Sequence, residues 1–491
     1  MNSDITVITV DEGTSSIKTT AWKSGVPLAS HREKIGTSYT SPGFVEQDPL
    51  EILEKTKVSI NLVSEKIGLE CKNLGGISLA NQRESIVCWD KISGNPLYPS
   101  INWQDSRSKG ILSEMESDYY KIIKSKTGLI PSPYFSAPKI KWLLRNNDKI
   151  QLKAKKNEVM FGTIDSWLIW NMTHNFATDY TNASRTLLFD IKEMDWDSDL
   201  LELFEIKREW LPDPFPSVHF YGNANFGAVD VPVLSVIGDQ QASMVGHGVF
   251  KEGDTKITYG TGSFLLTNAG DRPVNSERIL ETIAYSLEEK RSVYAYEGSI
   301  LAAGNTIDFL KRLKIVKNDR EIDRETRKIR IDEDIYFVPA FSGLGAPYWS
   351  NEAAPVMVGF KNTTERYQFI PALMRSIAFQ VYDIISEIEK STGLKLTTIS
   401  ADGGLSQNDY LMQFQADILG KNVIRKKFHE MTSYGSYILS AIALKNLIEK
   451  DIKKVHDSNE IFVPNIDDTH RRDLLIKWKR AIEMSLKWKN I

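Results

Sequence analysis

Apolar positions along this chain follow two different periods. ITVITV (5–10) is a short β-branched run that ends in the polar turn DEGTSS, and it predicts a strand. SIVCWD (85–90) predicts a second strand, closed by KISGNP, whose Gly and Pro mark a hairpin or loop. From Pro49 to Glu65, apolar Leu50, Ile52, Leu53, Val58, Ile60 and Val63 recur near helical spacing. The run Val231 to Ile237 predicts a strand that ends beside Asp239. Near the C-terminus, Asp467 to Lys489 carries Leu474, Trp478, Ile482 and Leu486 at near-fourfold spacing, a helix that docks on the second half. Lys311 to Asp334 is charge-rich, reads as solvated helix faces and is given no function. Strands alternating with helices predict α/β architecture rather than a β-sandwich or a helical bundle.

The pattern also repeats. TKITYGTGSFLL (255–266) is again a β-rich run, a Gly/Thr turn and a resumption of apolar residues. Thr14 and Thr261 lie 247 residues apart in a chain of 491, so the two turns hold matching places in successive halves. A period this long is no solenoid. Two related α/β domains, 1–247 and 248–491, are the simpler expectation, with Gly246, Gly248 and Gly253 as hinge or turn residues.

Composition narrows the classes. The length exceeds the roughly 250–300 residues at which one core stops growing, in keeping with two domains. With 41% hydrophobic and 25% charged residues the chain is globular. A net charge of −3 gives no footprint for nucleic acid or an anionic membrane. Two cysteines, Cys71 and Cys88, make no disulfide framework. No signal-like start and no long apolar window are present, so a cytoplasmic location without membrane insertion is expected.

Candidate chemistry begins with exclusions. The chain has no G-x-x-x-x-G-K-[ST] loop, no G-x-G-x-x-G fingerprint, no G-x-S-x-G elbow and no C-x-x-C. It does set glycine beside hydroxyl residues three times: Asp11-Glu12-Gly13-Thr14-Ser15-Ser16, Gly260-Thr261-Gly262-Ser263 and Asp402-Gly403-Gly404-Leu405-Ser406. Glycine lets backbone N–H groups approach an anion closely, and the hydroxyls add donors. Asp11, directly after a strand, suits a divalent cation held largely through water. One such turn is ordinary strand-end chemistry; three, two of them at matched positions, point to a nucleotide cradled between domains.

NQRE (81–84), WQD (103–105), FGTIDSWLIW (161–170), TDYTNASRTLLFD (178–190), GDQQA (238–242), YGTG (259–262), VPAFSGLGAPYW (338–349) and LMQFQADILG (411–420) together resemble the glycerol kinases of the FGGY carbohydrate kinase family, within the actin/Hsp70 ATPase superfamily. The resemblance runs in order from Asp11 to about Gly435. It implies two ribonuclease-H-like domains, an active site in the cleft between them, ATP and Mg²⁺ as cofactors, and glycerol as acceptor. It implies that Thr14, Ser15, Ser16, Lys18 and Thr261 embrace the ATP phosphates, and that Gly304, Asp308, Gly404 and Asn408 lie by the adenosine. Mg²⁺ would sit beside Asp11. Glycerol would be held by Arg83, Glu84, Trp103, Tyr134, Asp239, Gln240 and Phe264, with Asp239 as general base.

The side chains suit that task. A buried triol hydroxyl left unpaired costs about 1–3 kcal/mol. Arg83 donates a planar fork, Glu84 and Asp239 accept, and Gln240 does both. Trp103, Tyr134 and Phe264 offer ring faces to the carbon chain and help exclude water, which would otherwise compete as acceptor. Taken singly, Asp239 reads as a helix N-cap, Arg83 and Glu84 as a surface pair, the aromatics as core, and Asn408 as an Asx-turn residue.

Three departures from the family pattern stand out. In the first turn Glu12, Ser15, Ile17 and Lys18 replace the usual Gln, Thr, Ser and Arg, and Lys18 keeps the charge without the fork. Asp308 stands where a Gln is usual. The stretch from Tyr221 to Asp230 lacks the Lys and Arg that bind an inhibitory sugar bisphosphate in many bacterial relatives, so no such inhibition is expected. Rival readings are a kinase for another polyol or ketopentose, and a non-catalytic nucleotide-gated sensor. A homodimer is the expected assembly.

Overall fold

The computed structural model describes residues 5–68, 74–226, 230–260, 262–272, 276–328, 334–428, 430–445 and 459–488. Thr261, Cys71 and residues 227–229 of the bisphosphate-loop stretch therefore lie outside the described residues.

The run at 5–10 forms the strand Thr6–Glu12, and its β-branched side chains are buried on both faces. It turns at DEGTSS into Ser16–Lys23, which turns again into Val26–Lys34, an antiparallel meander. On its other side Thr6–Glu12 pairs in parallel with Gly76–Asn81, which pairs in parallel with Asp230–Gly238. The crossover between the first two parallel strands carries the helix Pro49–Lys66, within a residue of the span read from periodicity; Asp48 caps it and Pro49 opens it.

The second half rebuilds this plan. Thr255–Tyr259 and Ser263–Gly270 are antiparallel, as are Ser263–Gly270 and Arg291–Ile300. Thr255–Tyr259 then pairs in parallel with Ile399–Asp402, and that strand with Val423–Lys426. The repeat seen in the sequence is thus a repeat of sheet topology, in six- and seven-stranded sheets. The two Gly-rich turns are the first hairpins of the two sheets. A five-stranded sheet is added to the first half, and Ile86–Asp90, the predicted second strand, pairs there with Val159–Thr163. The C-terminal helix Asp468–Lys487 buries Leu474, Trp478 and Ile482; Trp478 stacks on Phe379 at 4.9 Å in the second half.

Between the sheets lie two crossed helices, Asp239–Gly246 and Met431–Ala443. The second belongs to the C-terminal half by sequence, yet it packs on the strands Thr6–Glu12, Gly76–Asn81 and Asp230–Gly238 of the first sheet. Ser433 Oγ lies 2.7 Å from Thr9 Oγ1 and accepts from Trp22 Nε1 at 3.0 Å. The helices touch backbone to backbone. A Cβ on Gly246 would lie 2.0 Å from Met431 O, and one on Gly435 would lie 1.8 Å from Ala242 O. Gly246 is therefore a contact glycine of this crossing, whereas Gly248 and Gly253 occupy left-handed turn conformations.

Candidate active site

The parallel strands of the first sheet end at the cleft, as do the first hairpin turns of both sheets. Across three adjacent strands, Asp11 is directly opposite Lys18, and Lys18 opposite Arg32. Burial, then the nearby carboxylates of Asp239 and Glu430, pushes Asp11 up to about 7. Glu12, on the opposite face, is fully buried and receives bonds from Gln82 Nε2 at 2.8 Å and Gln82 N–H at 3.3 Å. Burial lifts its carboxyl to about 8.

Asp239 follows the strand Asp230–Gly238 directly and is the first residue of the helix Asp239–Gly246. The N-cap is Gly238, so the capping role is not its own. Its Oδ1 accepts from the Gln240 N–H at 2.7 Å and lies 3.6 Å from Arg83 Nε. Gln240 Oε1 accepts from Lys256 Nζ at 2.6 Å. Lys256 is buried, and burial lowers its ammonium to about 8.

NQRE forms a tight loop after the strand Gly76–Asn81. Glu84 adopts a left-handed backbone (φ 62°), a conformation that costs a non-glycine residue about 1 kcal/mol or more. Its carbonyl is held by Ser136 Oγ at 3.1 Å and Lys139 Nζ at 3.3 Å. Arg83 and Glu84 are buried, not a solvated surface pair. Beside them Trp103 meets Tyr134 and Phe264 edge to face, with ring centroids 5.7 and 6.4 Å apart. Trp103 Nε1 donates to Thr14 Oγ1 at 2.8 Å, tying this aromatic wall to the first Gly-rich turn.

On the far side of the cleft Gly304, Asp308, Gly404 and Asn408 line one cavity of about 340 Å³, together with Tyr259 and Gly260. The DGG turn presses on Tyr259: Gly403 has φ 89°, and a Cβ there would sit 2.4 Å from Tyr259 O. Gly304 N–H donates to Gly260 O at 3.0 Å, so the helix Gly304–Arg312 starts on the second Gly-rich turn.

Two expected contacts are modified. Lys18 reaches the cleft, but its ammonium is ion-paired with Glu430, just before the helix Met431–Ala443. Asn408 reaches the cavity wall, but it caps the helix Asp409–Leu419 through Leu411 N–H at 2.9 Å and donates to Asp323 at 2.6 Å. The Asx reading holds for its side chain, and Asp323, from a stretch given no function, lines the cavity. Ser15 is exposed at the tip of the first turn and Ser16 begins the next strand. The carboxylate of Asp308 is 65% exposed and 3.7 Å from Lys311.

Sequence reading passed over Lys256, Glu430, Arg185 and Glu297. Arg185 stood inside the string TDYTNASRTLLFD without a role, and Glu297 stands eleven residues before Asp308. Both are buried against Arg83 and Glu84. A charged residue in an otherwise apolar strand such as SVYAYEGSI was the available signal.

Residues 6–246 match the N-terminal domain, and residues 255–444 the C-terminal domain, of the FGGY family of carbohydrate kinases. The chain belongs to this family. A glycerol kinase of Saccharolobus islandicus is 39% identical over 491 residues, covering 99% of this chain and 97% of that protein. Glycerol kinase 2 of Saccharolobus solfataricus is 39% identical over 488 residues, covering 98% of each. Among solved structures, Plasmodium falciparum glycerol kinase with ADP superposes with a TM-score of 0.93 at 33% identity over 98% of each chain. The two-lobed FGGY fold accounts for the paired sheets and the cleft. Among the described residues no helix is long and apolar enough to cross a membrane.

Proposed function

We propose that this FGGY kinase transfers the γ-phosphoryl group of ATP to a terminal hydroxyl of glycerol, giving sn-glycerol 3-phosphate and ADP. The observation that carries the reading is the joining of two half-sites. Arg83, Glu84 and Asp239 converge beside an aromatic wall whose Trp103 is hydrogen-bonded to Thr14 of the first phosphate turn. An acceptor held there lies next to the phosphates. The near-full-length identity to glycerol kinases supports the choice of triol.

In this reading Arg83 and Glu84 hold two glycerol hydroxyls, and Gln240 orients a third group beside Asp239. Asp239 accepts the proton of the attacking hydroxyl, as phosphoryl transfer asks mainly for positioning and charge neutralisation. Trp103, Tyr134 and Phe264 keep water from the acceptor position. Thr14, Ser15, Ser16 and Thr261, with the backbone of both turns, embrace the phosphates, while Lys18 exchanges Glu430 for a phosphate oxygen. Gly304, Asp308, Gly404 and Asn408 form the adenosine end. The halves 1–247 and 248–491 divide these tasks.

The residues fit Mg²⁺. Burial, and after it the negative charge of Asp239 and Glu430, raises Asp11 to about 7, and a divalent cation would offset both by favouring the ionised carboxylate. Asp11 would hold the cation largely through water, as Mg²⁺ usually takes only one or two carboxylates. When bound, Mg²⁺ neutralises charge on the phosphates. The reading includes a cytoplasmic location and a homodimer, the latter open to light scattering.

A coupled assay of ADP release over glycerol, erythritol, xylulose and ribulose, with and without Mg²⁺, tests the function. The highest kcat/KM is expected for glycerol, and only with the cation. A clearly higher value for a pentulose would overturn the assignment.

A further inference from the structure

The charged residues of the acceptor pocket are held by one another. Arg83, Glu84, Arg185 and Glu297 are each 3% exposed or less. They close a ring of alternating sign. Glu297 Oε2 accepts from Arg83 Nη1 at 2.7 Å, and Oε1 from Arg83 Nη2 at 3.1 Å. The same Oε1 accepts from Arg185 Nη2 at 3.0 Å. Arg185 Nε donates to Glu84 Oε1 at 2.6 Å, and Arg83 Nε lies 3.9 Å from that oxygen. Burial opposes the charge of Glu297, but the two guanidiniums outweigh it and hold the carboxyl below its usual range. Three members come from the first half; Glu297 comes from the strand Arg291–Ile300 of the second sheet.

The ring decides which atoms remain for a substrate. With both Nη atoms of Arg83 engaged by Glu297, only Nε is turned toward Asp239, at 3.6 Å. Without Glu297 the same fork could close on Asp239 as a bidentate pair and occupy the proposed base. Arg185 takes Oε1 of Glu84 and so leaves Oε2 to a hydroxyl. Arg185 Nη1 is buried with no partner, an arrangement that costs about 1–3 kcal/mol unless a hydroxyl or water fills it.

Resting on the acceptor site proposed above, we infer that Arg185 and Glu297 are positioning residues for the acceptor, and that Glu297 links the pocket in the first lobe to the second. They act through Arg83 and Glu84 and need not touch the reacting atoms.

The test is steady-state kinetics and calorimetric acceptor binding on the full chain, for wild type, Glu297→Gln and Arg185→Lys, with melting temperatures alongside. Loss of one charge-assisted bond corresponds to about a tenfold change or more. Glu297→Gln is expected to raise acceptor KM and Kd at least about tenfold while ATP KM stays within about twofold. Arg185→Lys, which keeps the charge but loses the fork, is expected to give a smaller shift in the same direction. If acceptor and ATP constants move together, or only the melting temperature falls, the inference fails. Should Glu297→Gln not fold, Arg185→Lys decides by the same split. A wild type that prefers another polyol sinks the glycerol reading alone, and the two variants are then judged on that polyol.

Discussion

Asp239 opens a helix instead of capping it, so its Oδ1 is fixed by Gln240 N–H and the nearby Arg83, while Oδ2 accepts only a long bond from Gln240 Nε2 at 3.4 Å. Asp239→Asn preserves shape and removes the proposed base. It is expected to lower kcat by about 10²–10⁴-fold while glycerol Kd, read by calorimetry, changes by no more than a few-fold. Near-normal kcat would remove Asp239 from that role. Glu12 bears on stability. Its carboxyl is raised from 4.5 to about 8, chiefly by burial, so the folded chain holds this proton more tightly than the unfolded chain does. Ionising it therefore costs stability, beginning above pH 4.5 and reaching its full extent above pH 8. Glu12→Gln escapes that cost. Its advantage in denaturant unfolding is expected to widen from pH 5 to pH 8 and then level off; a constant difference would contradict the assignment. These residues differ in how legible they were. Asp239, Arg83 and Trp103 could be recognised because each sits in a short string. Arg185 and Glu297 matter through partners more than a hundred positions away, and no local pattern carries that pairing.

Among the elements, the helix crossing sets a tight tolerance. Gly435 meets Ala242 O where a Cβ would stand at 1.8 Å, and Gly246 meets Met431 O at 2.0 Å. Gly435→Ala must push the helices apart and is expected to cost about 1–3 kcal/mol, visible as a melting temperature lower by several degrees. Gly393→Ala is a different control: no atom lies within 4 Å of its Cβ, and only its left-handed backbone (φ 73°) resists the change. It should therefore cost less than Gly435→Ala, and the reverse order would refute the close-packing argument. The helix Pro49–Lys66 and the strand Ile86–Asp90 were legible because periodicity, caps and turns are local signals. The five-stranded sheet was not, because its strands pair residues as distant as Ile86 and Thr163. Nor was the destination of Met431–Ala443, since an apolar helix does not announce which sheet it will cover.

Taken as a whole, the molecule is two copies of one topology shut against a shared layer of helices, and the proposed cycle needs the lobes to move. Glycerol with a non-hydrolysable ATP analogue and Mg²⁺ is expected to shrink the radius of gyration in small-angle scattering more than either ligand alone, as hinge closure does. An unchanged radius would argue for a preformed cleft. The segment leading into the strand Asp230–Gly238 offers no cation along Asn223–Asn225, where Asn225 instead binds Asp230 at 3.1 Å. Fructose 1,6-bisphosphate is accordingly expected to leave steady-state rates unaltered, and inhibition would contradict that. The crossing helix carries one more consequence, for biosynthesis. The first sheet has all its strands once residue 238 has been translated, but the helix that covers it arrives some two hundred residues later. A nascent chain stalled in between would display bare apolar surface from the earliest-made lobe, which makes that interval the natural moment for chaperone capture.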